Sequence, residues 1–181
     1  MAAVVRALFA AAAIALGGSA FAQSNEAPIY TLSPDGWQRT PTSTGDILVC
    51  SVCAQRVQVQ IGVGPLLGPK AAYRTNEEFI ARHRTTEQQR SLAQTVMKAQ
   101  IPPESLIALT IEGTGITRLG GLDAVEFVAT VDVAPMISED TTLLLVHRGH
   151  VVKLTLNYFK GSLDDKARAA VNALLASIKF Q

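Results

Sequence analysis

The C-terminal stretch at residues 162–181, SLDDKARAAVNALLASIKFQ, decides the fold class. Its start, SLDD, is typical of a helix N-terminus, because hydroxyl and carboxylate side chains accept hydrogen bonds from the free N–H groups of a first turn. The apolar residues that follow recur at helical spacing and form one stripe: Leu163, Ala167, Ala170, Val171, Leu174, Leu175 and Ile178. A helix with one apolar stripe must cover an apolar surface, so we expect a β-sheet beneath it.

The sequence upstream of this helix supplies strands for that sheet. Residues 57–63 place valine or isoleucine at every second position with polar residues or glycine between them, which is the period of a strand with one buried face. Arg148 and Gly149 predict a two-residue hairpin turn. Further strands are predicted at residues 47–52, 106–111, 116–119, 124–133, 142–147 and 150–158. Residues 39–45 and 134–140 are predicted as loops, residues 112–115 as a turn, and Gly120-Gly121 as a kink.

Two short helices are predicted at residues 76–83 and 87–100. Each begins with a capping-box pattern, at Thr75 and at Thr86, and the double proline at 102–103 ends the second helix. We expect the ring of Trp37 to be buried where the chain enters the sheet. The order of these elements predicts an α+β domain in which an antiparallel β-sheet is flanked by helices.

The first 22 residues are typical of a secretory signal peptide. A short positive leader precedes the apolar run ALFAAAAIAL, and Ala20 and Ala22 suit a signal peptidase. We therefore predict a signal peptide at 1–22 and a single mature domain at 23–181, located in the periplasm or secreted. We expect no transmembrane segment after cleavage, and the mature length is sufficient for one hydrophobic core.

The charge of the chain argues against a general nucleic-acid binder. Sixteen basic and 15 acidic residues give a formal net charge of +1, and loss of Arg6 with the leader makes the mature domain neutral. A general nucleic-acid binder needs a cationic surface that displaces counterions. We therefore predict no nucleic-acid partner.

Three segments resemble the PsbP/Mog1-type family. They are YTLSPDGW at 30–37, LGGLDAVEF at 119–127, and GHVVKLTL at 149–156 together with the helix that ends in ASIKF at 176–180. These are framework residues. The resemblance implies an α/β/α sandwich and a docking or assembly role, and it implies no catalytic residue set.

Cys50 and Cys53 are the only cysteines, so their pairing is unambiguous. In an oxidising compartment they are expected to form a structural disulfide, provided that the chain turns between them. The alternative is a redox-active pair, which requires a thiolate with a lowered pKa beside a cation or at a helix N-terminus.

His147 and His150 flank the predicted turn and are expected to be cross-strand neighbours on one face. Two imidazoles could ligate a metal, and with Cys50 and Cys53 they would make a Cys₂His₂ set. Surface histidines without a metal are the alternative, and no cofactor is predicted.

A basic cluster on the predicted helices is a candidate for partner binding. Its members are Arg74, Arg82, Arg84 and Arg90. They would suit an acidic partner or an anionic envelope lipid, and the alternative is a solvated helix face.

The sequence contains neither G-x-S-x-G nor H-E-x-x-H, and the carboxylate pairs Glu77/Glu78 and Asp164/Asp165 lie in first helical turns, where they complement the helix dipole. We predict no catalytic residues. The favoured interpretation is an exported, non-enzymatic binding or assembly accessory protein whose partner is an unidentified envelope protein or small ligand. A thiol–disulfide redox domain and a metal-binding module remain as alternatives.

Overall fold

The computed structural model describes residues 28–101, 106–133 and 136–181; the predicted signal peptide and the double proline lie outside these ranges. The described elements, in chain order, are β1 (Tyr30–Thr31), β2 (Trp37–Thr42), β3 (Gly45–Cys50), β4 (Val57–Leu66), α1 (Asn76–Arg82), α2 (Thr86–Gln100), β5 (Ala108–Leu119), β6 (Leu122–Val133), β7 (Met136–His147), β8 (His150–Phe159), α3 (Asp165–Ser177) and β9 (Lys179–Phe180).

Seven strands form one antiparallel sheet in the order β2-β3-β4-β8-β7-β6-β5. All neighbours except β4 and β8 are consecutive in the chain, and the excursion between those two contains α1, α2 and the hairpins β5–β6 and β6–β7. The antiparallel sheet and its helices confirm the predicted α+β class.

The core is divided into two clusters by the strand alternation. In β7, Leu143 and Leu145 belong to the first cluster, and Leu144 and Val146 belong to the second. Side chains at alternate positions of a strand point to opposite faces, so consecutive residues of this buried central strand enter different clusters.

Helix α3 contributes to the first cluster, as its stripe predicts. Ala167, Val171 and Leu174 are buried there with sheet residues such as Leu48 and Val59. Asp164 is the N-cap, and its side chain accepts a hydrogen bond from the N–H of Ala167. The expected packing of this segment against strands is therefore confirmed.

Helices α1 and α2 contribute to the second cluster through Phe79, Ala93 and Met97. Both begin with capping boxes, as predicted, although the second box starts at Thr85, one residue earlier than expected. Trp37 is also buried as expected, at the first position of β2.

Four local predictions were wrong, and polar composition explains most of them. Residues 39–45 contain strand rather than loop, because β2 is an edge strand that tolerates polar residues and proline. Residues 112–115 lie inside β5, where a bulge between Ile111 and Gly113 replaces the predicted turn. Residues 136–140 belong to β7. All five pair with β6, and residues 138–140 pair with β8 as well.

The fourth error concerns Gly120-Gly121, which forms the hairpin turn between β5 and β6 rather than a kink. Both glycines have positive φ, at 56° and 87°, which is the conformation that two-residue hairpin turns require. The predicted turn at Arg148 and Gly149 is confirmed, with φ values of 50° and 76°.

A second, two-stranded sheet joins the ends of the described domain. In it β1 pairs with β9, with Tyr30 opposite Phe180, and the N–H of Gln181 donates to the carbonyl of Ile29. This pairing fixes the segment before β2 beside the end of α3, which determines where the Tyr30 side chain lies.

Candidate functional site

The buried carboxylate of Asp46 lies on the face of β3 that contributes to the first core cluster. Asp46 shares this face with Leu48 and Cys50, whose side chains are buried in that cluster, and Asp46 itself is only 3% exposed. A buried carboxylate is stable only when it is paired and hydrogen-bonded. Its partners therefore define the site.

Arg39 and Tyr30 provide those partners. Arg39 is on β2 and donates from Nε to Oδ1 of Asp46 at 2.7 Å and from a terminal nitrogen to Oδ2 at 2.8 Å. Such a bidentate pair fixes the guanidinium plane. The hydroxyl of Tyr30, held in place by the β1–β9 pairing, donates to Oδ2 at 2.5 Å.

The three groups hold one another in fixed protonation states. Burial raises the pKa of Tyr30, and the hydrogen bond to Asp46 raises it further. Burial also opposes ionisation of Asp46, but the hydrogen bonds from Arg39 and Tyr30 outweigh it and lower the pKa of this carboxyl. Near neutral pH the tyrosine is thus protonated and the aspartate ionised, and both pKa shifts are directed away from neutrality.

An open pocket of about 490 Å³ lies over this cluster. Its other walls are the β2–β3 turn, the end of β4 and His150. The lining residues are Pro28, Ile29, Tyr30, Arg39, Pro41, Thr42, Ser43, Thr44, Gly45, Asp46, Val63, Gly64 and His150. The side chain of Arg39 is 43% exposed, although two of its three guanidinium nitrogens bond to Asp46.

His150 contributes an imidazole to the pocket wall. Its Nδ1 lies 2.8 Å from the carbonyl oxygen of Gly64. Because a carbonyl only accepts hydrogen bonds, Nδ1 carries the proton that is donated. Nε2 is the ring nitrogen that this hydrogen bond leaves free, and in a neutral ring it is an acceptor.

His147 is the cross-strand partner of His150, as predicted. Its Nε2 lies 2.7 Å from the carbonyl oxygen of Gln181, and its ring packs on Phe180 with centroids 5.2 Å apart. Each histidine thus donates one ring N–H to the backbone. Metal binding by this pair stays a prediction.

The Cys₂His₂ combination is wrong. Val57, just after the cysteines, pairs with Tyr158 near the end of β8, whereas His150 begins that strand. Eight residues of strand separate Tyr158 from His150, which corresponds to roughly 26 Å, so the cysteines and His150 lie far apart. Within residues 28–101, 106–133 and 136–181, no group of three or more His, Cys, Asp or Glu is placed to hold a metal ion.

Cys50 and Cys53 form the expected disulfide, with their Cα atoms 5.6 Å apart. Cys50 ends β3 and is buried, and the chain turns through residues 51–56 before β4 begins. No helix starts at this motif. The disulfide closes a corner of the sheet next to Trp37, which is the register partner of Cys50.

The arginines of the predicted basic cluster are exposed on or beside α1 and α2: Arg74, Arg82, Arg84 and Arg90. His83 lies among them in sequence but is buried, donating from Nδ1 to the carbonyl of Phe79 at 2.8 Å. Arg90 lines a groove between α2 and β5. Partner binding by these arginines stays a prediction.

The sequence interpretation missed Tyr30, Arg39 and Asp46. One signal was available: Asp46 continues the alternation of Leu48 and Cys50, so a strand extended by one residue places a carboxylate at a core position. The contribution of Tyr30 depends on pairing between β1 and β9, which are 150 residues apart in the chain, and no local pattern carries that information.

In the part of the chain that the structure describes, no helix is long and apolar enough to cross a membrane. No family model and no curated protein matches the sequence. Solved structures do match, among them three that share the architecture over most of both chains.

The first is LpqN, involved in cell envelope biogenesis of Mycobacterium tuberculosis, with a TM-score of 0.51, 15% identity, and coverage of 88% of this chain and 87% of LpqN. Cyanobacterial PsbP from Synechocystis sp. PCC 6803 gives 0.51 at 12% identity, covering 84% and 87%. The Saccharomyces cerevisiae Ran-binding protein Mog1p gives 0.53 at 7% identity, covering 84% and 90%. At such identities the likeness concerns the fold alone. The chain has the PsbP/Mog1-like fold.

Proposed function

We propose that this protein is an exported, non-enzymatic binding or assembly accessory protein that works in the periplasm or outside the cell. In this proposal residues 1–22 are a cleaved signal peptide and residues 23–181 fold as one α/β/α sandwich. The Cys50–Cys53 disulfide supports an oxidising compartment. The association of LpqN with cell envelope biogenesis and of Mog1p with Ran supports a binding role by analogy.

The observation that carries the proposal is the state of the Tyr30–Asp46–Arg39 cluster. A general acid or base works best when its pKa lies near the operating pH, but the pKa of Tyr30 is raised and that of Asp46 is lowered. The cluster therefore holds a fixed arrangement of charge at neutral pH. A fixed arrangement suits recognition of a ligand better than proton transfer.

The pocket chemistry defines the ligand that we expect. Arg39 presents guanidinium N–H groups, Ser43 and Thr44 present hydroxyls at the rim, and Nε2 of His150 can accept a hydrogen bond. The pocket's volume of about 490 Å³ is in the range of small-molecule sites. It would accept a small polar molecule, or a polar side chain of an envelope protein.

Site-specific photocrosslinking in the source cell tests the proposal. A photoreactive residue at Thr42 on the pocket rim is compared with one at Lys166, exposed on α3. The proposal predicts a discrete adduct at Thr42 that is lost when Arg39→Gln and Asp46→Asn remove both charges. An adduct that survives these substitutions, or no adduct at either position, would contradict a binding role for the pocket.

A further inference from the structure

A second open site lies between α2 and β5, away from the Tyr30 pocket. It is a groove with a volume of about 460 Å³. Its helix wall is Arg90, Gln94 and Lys98, three residues spaced by four along one face of α2. Its other wall is mainly apolar and consists of Leu106, Leu109, Thr110 and Ile111.

The strand beside this groove is an edge strand with an unprotected segment. β5 is the last strand of the seven-stranded sheet, so one side of its backbone has no strand partner within the described residues. Natural edge strands are blunted by proline, charge or bulges. The opposite edge, β2, carries Arg39 and Pro41, whereas the first four residues of β5, Ala108 to Ile111, contain neither proline nor charge.

The bulge between Ile111 and Gly113 limits how much of β5 a new strand could follow. Regular pairing must end there, because a bulge changes the local twist and the register. The available edge is therefore the four-residue segment that also lines the groove. A short extended peptide fits this edge better than a long strand.

The charges of the groove select the partner. Arg90 and Lys98 are exposed, and the ion pairs found among the described residues involve other arginines and lysines. A second copy of this chain would bring another Arg90 and Lys98 towards the first, so like charges oppose pairing of two β5 edges. An acidic partner gains from both cations.

The spacing of the two cations matches an extended chain. Eight residues separate Arg90 from Lys98, which corresponds to about 12 Å along a helix axis. Side chains at positions i and i+4 of a strand lie on one face and are separated by about 13 Å. Acidic residues four apart on an added strand would therefore lie opposite both cations if that strand runs along the groove.

We propose that the groove between α2 and β5 binds a short acidic peptide that adds as a strand to the Ala108–Ile111 edge, with carboxylates at i and i+4 paired with Arg90 and Lys98. This proposal rests on the proposed binding role and identifies the chemistry of a protein partner. Main-chain hydrogen bonds would give affinity, and the two carboxylates would give register.

Fluorescence anisotropy tests the proposal on the mature protein. The probe is a labelled seven-residue peptide, TDVTVDT, which carries aspartates at i and i+4, and the control peptide has lysine at both positions. We expect the acidic peptide to bind and the lysine peptide not to. Arg90→Glu with Lys98→Glu should weaken binding by about tenfold or more, while Lys166→Glu on α3 should leave it unchanged; circular dichroism confirms that each variant is folded.

N-methylated peptides separate strand addition from simple charge attraction. In a strand, the N–H groups of alternate residues point to the same edge, so methylating one alternate set should abolish binding and methylating the other should not. Equal binding of both methylated peptides would overturn the proposal, as would equal binding to the double charge-reversal variant. Binding to phosphatidylglycerol vesicles without binding to the peptide would overturn it as well.

The two proposals fail differently. If the peptide does not bind but the Thr42 crosslink is present and depends on Arg39 and Asp46, the groove proposal is wrong and the binding role stands. If the peptide binds as described and the Thr42 crosslink is absent, the groove is the recognition site and the pocket is not.

Discussion

The substitution Asp46→Asn isolates the contribution of the buried cluster. The carboxylate accepts two hydrogen bonds from Arg39 and one from Tyr30. The side-chain oxygen of an asparagine can keep part of these hydrogen bonds, but its NH₂ group must then face a donor of Arg39 or Tyr30 and cannot accept from it. Removal of one partner from a buried, hydrogen-bonded ion pair is generally costly.

The magnitude follows from how much of the cluster water can reach. A hydrogen bond to a charged group contributes about 1.5–3 kcal/mol, but the Arg39 side chain is 43% exposed and regains hydration when its partner is lost. We therefore expect Asp46→Asn to lower the free energy of unfolding by about 2 kcal/mol at pH 7. Asp123→Asn is the control, because that carboxylate is exposed and its ion pair with Arg118 is long, at 3.8 Å. This substitution should lower the free energy of unfolding by less than about 0.5 kcal/mol.

The pH dependence provides a second readout. The pKa of Asp46 is lower in the folded state than its ordinary value, so its stabilisation is complete above the unfolded pKa of about 3.9 and is lost as the pH falls through the folded pKa. Urea unfolding at several pH values should show the wild type and Asp46→Asn converging below about pH 4. A variant as stable as Asp123→Asn at pH 7, or a gap that is unchanged at low pH, would refute the reasoning.

Three further predictions test the frame around the site. Gly120→Ala should cost more unfolding free energy than Gly121→Ala, because both have positive φ but a Cβ at Gly120 would lie 2.7 Å from an aromatic ring atom; equal costs in urea unfolding would contradict this. Leu174→Ala should cost about 2–5 kcal/mol, since Leu174 is 2% exposed on α3, and a cost below about 1 kcal/mol would mean that α3 is not packed on the sheet. The Cys50–Cys53 couple should have a reduction potential below about −300 mV in glutathione titrations if it is structural, and a value near −200 mV would favour the redox alternative.

The elements with strong periodicity were predicted from sequence. The stripe of α3 and the alternation of β4 depend on burial of one face, and burial is what periodicity records. The edge strand β2 was missed because its exposed residues follow no apolar pattern and include Pro41. β5 was divided because glycine and polar residues at 112–115 resemble a turn, although the hydrogen-bonded ladder with β6 continues past the bulge.

The candidate site was less predictable than the fold because its parts are distant in sequence. The disulfide could be predicted, since two cysteines allow one pairing. The pocket needs Tyr30 from the first strand, Asp46 from the third and His150 from the eighth. Such a set becomes visible only when strand order and register are known, and β4–β8 pairing across the long excursion is the least local feature of the sheet.

The helix that determines the fold also determines the geometry of the pocket. The stripe of α3 packs on the sheet, and β9 follows α3 after a single residue. Because β9 pairs with β1, the docked helix positions Tyr30, whose hydroxyl completes the hydrogen bonds of Asp46. Burial of the Asp46 carboxylate is thus compensated by a side chain whose position depends on the packing of α3. The stability of the buried charge and the packing of the C-terminal helix are consequently coupled, because displacing α3 and β9 would also displace Tyr30 and remove one of the hydrogen bonds to Asp46.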